Sequence, residues 1–145
     1  MEDLLVILKK HHYKKIKFKV SKTKHLLIKA RINGVLGNFI LDTGASNSCV
    51  DFDGITYFNL TAGQSKTKAA GAGGTGMFTQ LAKNNLLGIG RWKTDEFHLI
   101  IFDLKHVNDA LQHYKAKPVH GIMGADILLE GKAIIDYSNH CLYLR

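Results

Sequence analysis

Apolar and basic residues alternate from position 15 to 20, with Ile16, Phe18 and Val20 set between Lys15, Lys17 and Lys19. Period two of this kind predicts a strand with one face on a core and the other in water. Leu26–Ile32 and Val35–Leu41 read as two more strands, joined by Asn33-Gly34, a strong two-residue hairpin signal. Residues 77–81 and 97–102 carry strand patterns as well. Asp103 stands where it can cap a helix running to about Tyr114, with Leu104, Val107 and Leu111 on one face and Pro118 beyond its end. Ile122-Met123 is a short apolar stretch ending at Gly124. Ala125–Glu130 reads as one or two helical turns stopped by Gly131. Residues 133–137 and 141–144 form a hairpin around Ser138-Asn139. Many short strands and few helices predict a mainly-β domain, barrel-like or sandwich-like.

The length of 145 residues fits one domain, able to bury roughly two thirds of its unfolded surface without disulfide or metal support. No apolar run reaches the roughly 18 residues of a spanning helix. The Leu4 to Leu8 stretch follows Glu2 and Asp3, so it is too short and wrongly charged for a signal-peptide core. Residues 1–14 are expected to form an N-terminal extension, helical if docked, with Leu4, Leu5 and Leu8 on one face. Two cysteines, Cys49 and Cys141, make no disulfide framework and point to a reduced, cytoplasmic protein.

The net charge of +8 is uneven. Residues 1–41 hold ten basic and two acidic residues, and residues 42–145 hold ten of each, so the whole excess lies in the first segment. A basic arm of that kind suits nucleic acid or another anionic surface. The alternating pattern and the lack of interleaved exposed aromatics favour a solvated strand face instead, and argue against nucleic acid as the partner.

Candidate chemistry centres on Phe39-Ile40-Leu41-Asp42-Thr43-Gly44-Ala45-Ser46. An apolar strand there delivers a carboxylate to a turn, with a hydroxyl beside it and a glycine that lets the backbone bend sharply. Two other segments belong with it: the glycine-rich 69–76 stretch, and Gly121-Ile122-Met123-Gly124-Ala125-Asp126. In this order the three parts resemble the retropepsin-like aspartic proteases, the single-lobed class, across about residues 15–145.

The resemblance implies a small closed barrel-like retropepsin fold with one or two short helices, cleaving peptide or protein substrates. Asp42 matches the catalytic acid, and Thr43 and Gly44 match the turn that grips the partner across a two-fold axis. Ala45 and Ser46 fall at substrate-binding positions, although many viral members carry an acid where Ser46 stands. Ala70, Gly71, Ala72, Gly73 and Gly74 match the flap, placed at 69–78, and Ile122 and Met123 match the substrate-lining motif before the last helix. The chemistry needs two carboxylates sharing a proton, and this chain has one Asp-Thr-Gly. A homodimer is therefore expected, each copy supplying one Asp42. The alternative is a catalytically silent dimer of the same fold, binding peptide or nucleic acid through its basic N-terminal segment.

Asp126 and Asp136 lack a following Thr-Gly and are expected to be structural. Asp51 and Asp53 read as turn residues, and Cys49 as a small buried hydrophobe. Gly71, Gly73 and Gly76 meet a dinucleotide-loop spacing, but the polar Gln64-Ser65-Lys66-Thr67-Lys68 before them is no buried strand. The eight histidines show no metal-ligand spacing, so no metal and no cofactor is expected.

Overall fold

Residues 3–64 and 79–145 are described by the structure, a computed structural model. Helix α1 (Leu4–Lys10) is capped by Asp3, whose carboxylate accepts the Leu5 N–H at 3.0 Å. Its face is narrower than the sequence predicts. Leu8 is buried against Cys141 and Tyr143 and Leu5 partly so, while Leu4 is exposed. The alternating run then splits at Phe18 into β1 (Lys14–Lys17) and β2 (Lys19–Val20). Ile16 and Phe18 are buried as expected, but Val20 is exposed because its strand ends there against β3.

Strands β3 (Leu26–Ile32) and β4 (Val35–Leu41) form the predicted hairpin, and Asn33 and Gly34 both adopt positive φ (52° and 84°) as a primed turn requires. Three elements follow that the pattern did not reveal: β5 (Cys49–Val50), α2 (Gly54–Tyr57) and β6 (Ala62–Gln64). The strand signals at 79–81 and 97–102 fall at the ends of a long hairpin, β7 (Gln80–Ile89) and β8 (Trp92–Ile101), while 77 and 78 lie outside the described residues. Its middle escaped notice because register shifts between Ala82 and Leu87, with Asn84 and Glu96 at positive φ, break the period-two pattern. Helix α3 (Lys105–His113) lies where expected, but Leu104 and not Asp103 holds the cap position; the Asp103 carboxylate, one residue earlier, accepts the Lys105 N–H at 2.8 Å. Then come β9 (Gly121–Met123), α4 (Ala125–Glu130), β10 (Ile134–Asp136) and β11 (Cys141–Leu144).

Pairing runs β3-β4-β9-β5-β8-β7, and β7 returns to β3, so six strands close a barrel. The separate sheet β1-β11-β10 joins the two ends of the chain. The domain is mainly β, with four short helices among the described residues where one or two were expected. Phe39, Leu41, Met123, Leu99 and Ile101 fill the barrel interior. A second apolar cluster lies outside the barrel wall, where Leu104, just before α3, and Leu111 of α3 cover Ile40 and Ile122. No helix among the described residues is long and apolar enough to cross a membrane.

Candidate active site

Strand β9 is wedged between β4, which it parallels, and β5, which it opposes. The ladder continues one step past β4, because the Asp42 N–H donates to the Met123 carbonyl at 2.9 Å. Asp42 therefore leaves the sheet in a fixed orientation, half-exposed, at the start of a tight turn. The Gly44 N–H donates to Asp42 Oδ1 at 2.8 Å and the Ala45 N–H to the Asp42 carbonyl at 3.2 Å. One carboxylate oxygen is thus held by the turn itself. A Cβ on residue 44 would stand 3.2 Å from that oxygen, so glycine keeps the approach open. Thr43 and Ser46 are exposed, and Ala45 packs partly against the second cluster.

The turn is clamped from beneath by α4. The Ala125 N–H donates to the Ala45 carbonyl at 2.7 Å, and a Cβ at Gly124 would meet that carbonyl at 2.5 Å. Ser48, fully buried, donates its hydroxyl to Asp126 Oδ1 at 2.7 Å and accepts the Gly124 N–H at 2.9 Å. Asp126 also accepts the N–H groups of Ser48 and Ile127, both at 2.9 Å. It ties the strand after the turn to α4. Sequence reasoning missed Ser48, which carries no local signal; its partner arrives from the far end of the chain.

Ile122 and Met123 are 5% and 0% exposed. Their side chains build the floor behind the turn, Met123 in the barrel and Ile122 beneath α3, so neither forms an open wall in the single chain. The candidate flap residues Ala70, Gly71, Ala72, Gly73 and Gly74 lie outside the described residues, as does the rest of the 69–78 segment. Cys49 sits close by, and burial pushes its thiol up to about 12, with the carboxylates of Asp126, Asp42 and Asp51 adding to the rise. Such a thiol is a packing group. Asp51 does more than turn the chain, because its carboxylate accepts the Leu104 N–H at 3.0 Å and anchors the start of α3. Asp136 binds the Asn139 N–H and side-chain amide across the β10-β11 turn, and these bonds lower its pKa. Among the described residues no group of histidine, cysteine and acid side chains is gathered to hold a metal.

A closed six-strand barrel that presents Asp-Thr-Gly at a strand end, clamped by a Gly-Ala-Asp helix start, has the retropepsin-like fold. The model of the aspartyl protease family matches residues 28–127, and the chain belongs to that family. Solved structures agree in fold. A retropepsin-like aspartic protease from Rickettsia conorii superposes with a TM-score of 0.62 at 17% identity, covering 91% of this chain and 90% of that one. The retroviral protease-like domain of Ddi1 from Leishmania major gives 0.57 at 16% identity, with 83% and 87% covered. EIAV protease bound to an inhibitor gives 0.56 at 21% identity, with 77% and 91% covered. Among curated protein sequences none matches this chain.

Proposed function

We propose that this protein is an aspartic endopeptidase that works as a homodimer, with one Asp42 from each copy. The observation that carries it is the state of Asp42. It is half-exposed and delivered by the sheet at a fixed height. Its Oδ1 accepts the Gly44 N–H, and among the described residues Oδ2 accepts no hydrogen bond. A single carboxylate cannot both take a proton from water and give one to a carbonyl oxygen. Two of them sharing one proton can.

In the dimer one Asp42 acts as general base toward the attacking water. The protonated one donates to the peptide carbonyl oxygen; the proton taken from water then passes to the leaving amine as the C–N bond breaks, and a diol proton returns to the other carboxylate. Thr43, exposed beside Asp42, is suited to hydrogen-bond its counterpart across the two-fold axis. The family pattern assigns the 69–78 stretch between β6 and β7 to the flap over an extended peptide. The free, buried Cys49 and Cys141 fit the reducing cytoplasm expected from the sequence.

The test is a mixing experiment. Wild-type chain is titrated with Asp42→Asn chain at constant total concentration, and peptide cleavage is followed by mass spectrometry. Activity should fall as the square of the wild-type fraction, because a mixed dimer holds one competent acid. A linear fall would mean that each chain acts alone, and undiminished cleavage by pure Asp42→Asn would sink the mechanism.

A further inference from the structure

The outer face of the β3-β4 hairpin carries a trough of about 780 Å³. Six cations line it: Lys17 and Lys19 from the N-terminal strands, Lys29 and Arg31 from β3, Lys93 from β8, and Lys117 from the segment after α3. No acid lines it, and among the described residues none of the six is ion-paired. Its floor is apolar, with Leu27, Leu36 and Val119 between the charges. In sequence the lysines of 15–20 looked like an ordinary wet strand face. The fold brings cations from separate segments to the same surface, which a merely solvated strand does not require.

Along β4 the trough ends at Asn38, and Ile40, covered by α3, separates it from Asp42. Side chains alternate along β4, so Leu36, Asn38 and Ile40 point away from the barrel interior, and Asp42 follows at the strand's end. Asn38 lies about 13 Å from Asp42 along the strand, at roughly 3.3 Å per residue. The pairing of Leu26 with Leu41 also sets the Ser21–His25 turn beside the Asp42 turn. A second groove of about 560 Å³ opens there between that turn and α3. It repeats the pattern, with Lys22, Lys24, His25 and His106 around an apolar floor of Val107 and Leu111 and no acid.

We propose that these two grooves dock an acidic stretch of the substrate polypeptide, so that the protease selects proteins whose cleavage sites are flanked by Asp and Glu interspersed with apolar residues. The inference rests on the peptidase reading for its consequence, but the grooves can be tested without it. Cation rims paired with apolar floors match a chain that alternates carboxylates and apolar side chains, and complementary charge both speeds encounter and fixes register. A nucleic acid would find the charges, but the trough offers it an apolar floor with no exposed aromatic ring to stack on, and the second groove offers one, Tyr114.

The experiment compares a glutamate-flanked Leu-Phe peptide with its glutamine-flanked and lysine-flanked counterparts. Cleavage is measured with wild-type chain, and binding is measured by fluorescence anisotropy on the Asp42→Asn chain. The glutamate peptide should be preferred about tenfold over the glutamine peptide in kcat/KM, chiefly through KM, and the preference should shrink with added salt. Lys29→Glu/Arg31→Glu should reduce that ratio toward one, and Lys22→Glu/Lys24→Glu should do so independently. All four side chains are exposed, so both variants should fold. Cleavage without charge preference would overturn the docking assignment and leave the peptidase standing. Salt-sensitive binding of the glutamate peptide without any cleavage would overturn the peptidase and leave the grooves. Displacement of the bound peptide by a single-stranded oligonucleotide of equal charge at lower concentration would reassign the trough to nucleic acid.

Discussion

Ser48 and Asp126, 78 residues apart, are joined twice: hydroxyl to Oδ1 at 2.7 Å and N–H to Oδ2 at 2.9 Å. The same hydroxyl accepts the Gly124 N–H. The pair therefore locks the strand leaving the Asp42 turn to the helix that supports it. Ser48→Ala strands a buried N–H and removes a bond to a charged acceptor. The expected loss is about 1–3 kcal/mol, read from urea unfolding. Asp126→Ala should cost at least as much, and the double variant should cost less than the sum. Additive losses would show that the two residues act separately.

Asp42→Asn keeps the shape of the turn and removes the acid proposed to share a proton. Peptide hydrolysis should drop by about two to four orders of magnitude with no change in melting temperature. Hydrolysis by the proposed pair of carboxylates sharing one proton should depend on pH. A flat profile would point to another catalytic group.

Gly124→Ala places a methyl 2.5 Å from the Ala45 carbonyl, a backbone atom that cannot swing aside. The turn must shift to admit it. Stability should fall by about 1–3 kcal/mol, and activity should fall further than stability alone explains, because Asp42 begins the displaced turn. Equal activity per folded molecule would show that the turn tolerates the shift.

His120 stacks on Tyr57 with ring centroids 4.6 Å apart, and its Nδ1 accepts the Asn38 N–H at 3.0 Å. Burial lowers its pKa from 6.5. The unfolded chain then binds a proton more readily than the folded one in the window just below 6.5. His120 therefore contributes stability above that value that is lost as pH falls through the lower folded value. Unfolding midpoints measured downward from neutral pH should fall more steeply for wild type than for His120→Gln. Parallel curves would remove His120 from the acid response.

Cys49 and Cys141 are free and buried, and burial pushes the Cys49 thiol up to about 12. A thiol reagent at mildly alkaline pH should label neither in the folded protein and both after unfolding, at the unfolding rate. Fast labelling of Cys49 in the native state would mean that the floor under α3 opens on its own.

The β3-β4 hairpin, α3, the α4 turn and the Asp-Thr-Gly at a strand end were all legible in the sequence. Each depends on short-range rules: alternation, a primed turn at Asn33-Gly34, a carboxylate before a helix, a glycine after one. The β7-β8 hairpin was legible only at its ends, because irregular register hides alternation from any local reading. Two-residue β5 was invisible, since only its neighbours β8 and β9 make it a strand. Tertiary structure alone decided three further matters. It tied Ser48 to Asp126 and buried Ile122 and Met123 behind the turn. It also gathered lysines from separate segments on the outer face of the β3-β4 hairpin. Sequence patterns record what a residue needs from its near neighbours, whereas closing the barrel decides which distant side chains meet, and that meeting fixes the site's rigidity and its charge.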